Sequence, residues 1–87
     1  MKIDIDKLKK SLIYRSTYRG TKEMDTLLGS FVKNSIEKLD FDQLRELEKL
    51  LSVDDDTLYR LYNNQIKTIE NINKDLIKLY RLHKYKK

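Results

Sequence analysis

Apolar residues recur at helical spacing in five stretches of this chain, and no proline and only two glycines interrupt them. Ile5, Leu8 and Leu12 form the first stripe, which runs out near Tyr18. Met24, Leu27, Leu28, Phe31, Val32 and Ile36 form the second and cleanest, with the i, i+3, i+4, i+7 spacing of one helix face. Leu44, Leu47, Leu50 and Leu51 form a third. Leu58, Leu61 and Tyr62 form a short fourth, and Ile69, Ile72, Leu76, Leu79 and Tyr80 a long fifth. No segment sustains the period-two alternation of a strand. Each stripe is too short for a stable isolated helix, so the helices must bury one another. The pattern predicts an all-α chain, a small five-helix bundle with short links. Its 87 residues make one domain, 1–87. No heptad persists long enough for a coiled coil.

The breaks between stripes carry capping chemistry. Asp40-Phe41-Asp42-Gln43 fits a capping box, in which Asp40 accepts from a backbone N–H three residues on and Gln43 reaches back. Asp54, Asp55 and Asp56 suit the positive end of a fourth helix. Asn63 and Asn64 suit its end, because asparagine tolerates the left-handed conformation. Lysines and arginines from Lys78 onward match the negative end of the last helix dipole.

A core this small often needs a staple. With no cysteine, neither a disulfide nor a thiolate metal site can supply it. No apolar run approaches the roughly 18 residues of a membrane span, so no membrane insertion is expected. The opening residues, Met1 to Asp6, lack a secretory core and carry two acids, which favours a bacterial cytoplasmic chain or a processed one. Charge is unevenly spread. Residues 1–36 carry eight basic and four acidic side chains, 37–56 three and eight, and 57–87 eight and two. The ends are basic and the middle acidic, unlike an evenly basic nucleic-acid binder. The basic tail, about 81–87, has two open readings: a flexible end, or a patch that steers the chain to an acidic partner.

Enzyme templates find little material. Two glycines nine residues apart cannot build a phosphate loop. The one histidine, His83, reads as a solvated side chain beside basic residues. No nucleophile–base set can be assembled, and the Asp54–Asp56 run lacks the alternation and glycine of a calcium loop. A helix-turn-helix drawn from the third and fourth helices would put three aspartates where bases are read. A small basic nucleic-acid-binding or adaptor module therefore stands as the alternative reading, separable by steeply salt-dependent binding to DNA or RNA.

One run concentrates unlike groups at a helix junction: Arg19-Gly20-Thr21-Lys22-Glu23-Met24-Asp25. Its structural reading is simple. Gly20 supplies a special backbone angle or the N-cap of the second helix, with Glu23 as half of a capping box. Asp25 then favours the helix dipole, and Arg19 faces solvent.

The same run resembles the Arg-Gly-x-x-Glu signature of the succinate dehydrogenase assembly factors, the SdhE-type flavinylation factors, in its extended form with Asp25. Downstream, Leu39-Asp40-Phe41-Asp42-Gln43-Leu44 is similar to that family's acidic-capped third helix. Glu48-Lys49-Leu50-Leu51, Asp54 to Asp56 and Leu58-Tyr59 are similar to its next conserved stretch. Tyr18 stands where the family commonly has a second arginine. Leu47 and Leu61 replace aromatic positions. The resemblance implies a five-helix assembly factor, not an enzyme, that binds the flavoprotein subunit of succinate dehydrogenase, and often that of fumarate reductase. It implies that FAD becomes covalently attached to a histidine of that client and is not held stably here. It also implies client contacts at Tyr18, Arg19, Gly20, Glu23 and Asp25, no catalytic or metal residue, and a bacterial cytoplasmic or mitochondrial matrix home.

Overall fold

Asp4 opens the first helix by accepting from the Lys7 N–H at 3.0 Å, and the chain then coils without a break to Thr17. The computed structural model describes residues 4–84. Five helices follow one another: α1 (Ile5–Thr17), α2 (Lys22–Ser35), α3 (Phe41–Leu51), α4 (Asp55–Tyr62) and α5 (Lys74–Leu82). A single 3-10 turn, Ile36–Lys38, tightens the end of α2. No strand occurs among the described residues. The expected all-α architecture and its order are thus found.

The caps of α3 and α4 lie where the sequence puts them. The Asp40 carboxylate accepts from Gln43 N–H at 2.9 Å, and the Gln43 side chain accepts from Asp40 N–H at 2.9 Å, so both halves of the capping box form. Asp54 caps α4 through Thr57. Asn64 adopts a φ of 67° just past the end of α4.

α1 packs on α2 and α3, and α5 packs on α3 and α4. Their shared core takes Leu12 from α1, Leu27, Leu28, Phe31 and Val32 from α2, and Leu44, Leu47 and Leu50 from α3. Leu58 and Leu61 of α4 and Leu76, Ile77 and Tyr80 of α5 complete it. Leu47 and Leu61, where the resemblance implies an aromatic, are fully buried. They fill core volume with aliphatic side chains. Tyr80 sets its ring edge-on to Phe31 at 5.4 Å and donates its hydroxyl to the Leu58 carbonyl at 2.8 Å. A buried hydroxyl is thereby satisfied, and α5 is tied to α4.

The fifth stripe requires correction. Ile69 and Ile72 fit the period but lie in an irregular segment before α5, which starts only at Lys74. Asn71 takes a φ of 71°, which breaks any helix there, and Asn73 caps α5 through the Asp75 and Leu76 N–H groups. α5 faces the core with Leu76, Ile77 and Tyr80, while Leu79, expected on the stripe, is 47% exposed.

His83 also departs from its expected solvated state. Its Nε2 lies 2.8 Å from Ser30 Oγ, its ring sits 5.6 Å from Phe31, and its carbonyl accepts the Tyr62 hydroxyl. The end of α5 is therefore docked through His83. Residues 85–87 of the tail lie outside the described residues. Burial lowers the His83 pKa from its ordinary 6.5. The folded chain thus prefers neutral imidazole, and the unfolded chain takes up the proton first. Stability from this group is full above about pH 6.5 and is lost as pH falls from there to the lowered folded value. The wild type is expected to melt at a lower temperature at pH 5.5 than at pH 7.5, and a His83→Gln variant to show a smaller difference. An equal difference in both proteins would remove His83 as the cause.

Candidate functional site

The corner between α1 and α2 is built from its own side chains. Tyr18 ends α1, and Thr21 caps α2 by accepting from the Met24 N–H at 3.2 Å. Thr21 thus takes the capping role that Gly20 was expected to fill. Glu23 is the second helical residue, one place too early for a capping box with Thr21. Its exposed side chain stands on the first turn of α2.

Asp25 does more than favour the helix dipole. One of its oxygens accepts the Arg19 backbone N–H at 2.5 Å, which closes the turn like a clasp. Gly20 then runs at a φ of +155°, where side-chain-bearing residues are strained, and a Cβ there would meet Asp55 Oδ2 at 3.3 Å. The backbone angle favours glycine, and an added methyl would also press on the Asp55 carboxylate.

Arg19 is not the solvent-facing cation of the sequence reading. Its side chain is only 11% exposed and reaches across to the α3–α4 link. Nε donates to Asp55 Oδ1 at 2.8 Å, one terminal nitrogen to the Leu51 carbonyl at 2.6 Å and the other to the Val53 carbonyl at 2.7 Å. Leu51 is the last residue of α3, where a helix leaves carbonyls without partners of their own. The guanidinium fork satisfies one of these carbonyls and also pairs with a carboxylate at the start of α4. One side chain thus fastens the α1–α2 corner to the α3–α4 corner.

The three aspartates of the acidic run divide three tasks. Asp54 caps α4, and its hydrogen bonds from Thr57 hold its carboxyl below the usual range. Asp55 holds Arg19, and Asp56 pairs with Arg60 one turn on at 3.1 Å.

What remains on the outside is a small surface. Gly20 and Glu23 are exposed, and Tyr18 is 71% exposed. Tyr18 rests against Tyr14, with ring centroids 4.6 Å apart and Tyr14 itself largely exposed. The sequence reading missed Tyr14, although its place four residues before Tyr18 puts both on one helix face. It also missed Asp55 and the Leu51 and Val53 carbonyls as partners of Arg19, since no local pattern marks them. The structure separates the five candidates: Arg19 and Asp25 build the corner, while Tyr18, Gly20 and Glu23 lie on its surface.

A family model described as flavinator of succinate dehydrogenase matches residues 10–84, which includes the whole corner. The chain is 36% identical over 80 residues to succinate dehydrogenase assembly factor 2, mitochondrial, of Dictyostelium discoideum, a match covering 92% of this chain and 57% of that protein. It is 35% identical over 48 residues to the protein of the same name from Cryptococcus neoformans var. neoformans, covering 55% of this chain and 27% of that one. The chain therefore spans little more than half the length of the first of these relatives. No solved structure matches it.

Proposed function

The chain belongs to the family of flavinators of succinate dehydrogenase, and from that premise we propose that it binds the flavoprotein subunit of succinate dehydrogenase and promotes covalent attachment of FAD to it. The observation that carries this reading is the corner itself, a rigid turn that presents Gly20, Glu23 and Tyr18 outward while Arg19 and Asp25 hold it from within. An exposed glycine lets a partner's backbone come close, and an exposed carboxylate offers a charged hydrogen bond. Preset geometry lowers the cost of ordering an interface.

The flavin belongs to the client in this reading. Gly29 is buried in α2, where a Cβ would meet the Thr17 methyl at 3.2 Å, and Gly20 forms the corner, so neither glycine opens a phosphate-binding loop. The chain acts as a helper and not as an enzyme: it favours a client conformation in which the client's own histidine meets the flavin. The fumarate reductase flavoprotein is a second client on the same logic. The working compartment is where the client acquires its flavin: the bacterial cytoplasm, or the mitochondrial matrix in a eukaryote. Among the described residues no helix is long and apolar enough to cross a membrane.

The test is covalent flavin on the client. The flavoprotein subunit is expressed alone, with this chain, and with its Glu23→Ala variant, then denatured and read for flavin fluorescence in the gel. The fluorescence should rise with the wild type and stay at the client-alone level with the variant, whose melting temperature should move by only a few degrees. Equal fluorescence in all three samples would refute the reading. A variant that melts far lower would give Glu23 a structural task instead.

A further inference from the structure

Away from the corner, the irregular segment after α4 lies beside α5 and leaves a groove of about 630 Å³ between them. Lys67, Lys74, Lys78 and Arg81 line it, over an apolar lining that includes Ile77 and Leu82. No carboxylate lines it. Glu70 and Asp75, the acids present after residue 56, are not among its walls.

Elsewhere on the surface some cations are held by carboxylates, while Lys7, Lys10, Lys22, Lys33 and Lys38 are in no ion pair among the described residues; the groove differs in gathering four cations on one lining. Lys9 pairs with Glu37, Arg15 with Glu48, Lys49 with Glu46 and Arg60 with Asp56. Among the described residues, Lys67, Lys74 and Lys78 have no carboxylate partner, and Arg81 donates to the Lys67 carbonyl at 3.3 Å. Like charges gathered without partners repel one another, and an incoming anion relieves that repulsion. Beside them Leu82 is 64% exposed, so apolar surface waits at the same place.

We propose that this groove docks an acidic, extended segment of the client flavoprotein, with carboxylates on the lysines and an apolar side chain against Leu82; the proposal rests on the client assigned above. Lys74, Lys78 and Arg81 follow one another at i, i+4 and i+7. They span about 10 Å along the helix at roughly 1.5 Å per residue. That is about three residues of extended chain. A linear array of this kind suits a polypeptide. The Asp75 and Leu76 N–H groups at the start of α5 are taken by Asn73, so this helix end adds no backbone donors to the side-chain cations, and their linear spacing is what favours an extended acidic chain. The groove and the Arg19 corner make a two-point attachment, in which steering charge and rigid contact are separate.

The affinity of the full chain for the purified apo-flavoprotein subunit, measured at about 50 mM and about 300 mM salt, tests this. Lys74→Glu combined with Lys78→Glu should weaken binding about tenfold at the lower salt and less than threefold at the higher, with an unchanged melting temperature. Lys67→Gln with Lys78→Gln should do the same to a smaller degree and guards against misfolding in the first variant. Wild-type affinity in both variants at both salts, with Glu23→Ala still defective, would overturn the groove and leave the corner standing. No binding by the wild type would overturn both. Free FAD bound by the isolated wild type, and lost in the double-glutamate variant, would reassign the groove to a dinucleotide phosphate and overturn the peptide.

Discussion

Replacing Arg19 by alanine is expected to lower the stability of the folded chain by about 3 kcal/mol, because a nearly buried ion pair loses one partner while the other stays in place. The figure is set at the low end for buried pairs, roughly 3–5 kcal/mol, because Asp55 keeps 27% of its side chain in solvent. In a domain of this size the melting temperature should fall by more than roughly 10 °C. Lysine should not restore it. An ammonium can neutralise Asp55, but it cannot also reach the Leu51 and Val53 carbonyls in the flat fork that the guanidinium provides. Thermal melts of Arg19→Ala and Arg19→Lys decide the matter. Near-wild-type melting with lost client binding would show that Arg19 is a contact residue and not a fastener.

Gly20→Ala is the second large effect. The strained backbone angle alone costs on the order of 1–3 kcal/mol. The added methyl also meets Asp55 Oδ2 at 3.3 Å, and Asp55 cannot swing away freely while Arg19 holds its other oxygen. The two substitutions should therefore couple. In an Arg19→Ala background Asp55 is released, and Gly20→Ala should cost less than it does in the wild type. A double-mutant cycle measures this difference, expected at roughly 0.5 kcal/mol or more. Strict additivity would mean that the methyl never presses on Asp55. Client affinity should fall with Gly20→Ala by more than the stability loss explains, since the methyl also occupies the space an approaching backbone needs.

The caps of α3 and α4 and four of the five helices were readable because their causes are local, whereas Thr21 and not Gly20 caps α2. Asp40 and Gln43 are three residues apart, and so are Asp54 and Thr57, so each pair is set by local sequence once its helix is packed. The start of α5 was misread because Ile69 and Ile72 obey the helical period while packing against the core from an irregular segment. Burial, not coiling, accounts for their apolar character. The corner was half readable. Its glycine and acids stand out in sequence, but the partners of Arg19 are two backbone carbonyls and one of three adjacent aspartates. A carbonyl has no letter of its own in a sequence, and nothing local distinguishes Asp55 from its neighbours. His83 was hidden for the same reason, since Ser30 lies 53 residues away.

The bonds of Arg19 join positions 32 to 36 residues apart. Contacts of that range form only after the intervening chain has closed its loop. Nascent α1 and α2, emerging first from a ribosome, would have their apolar faces but not the finished corner. The finished corner therefore certifies that α3 and α4 have already been made and packed. On the function proposed above, an unfinished or damaged copy would lose the corner's contact with the flavoprotein at the same step at which it loses its fold.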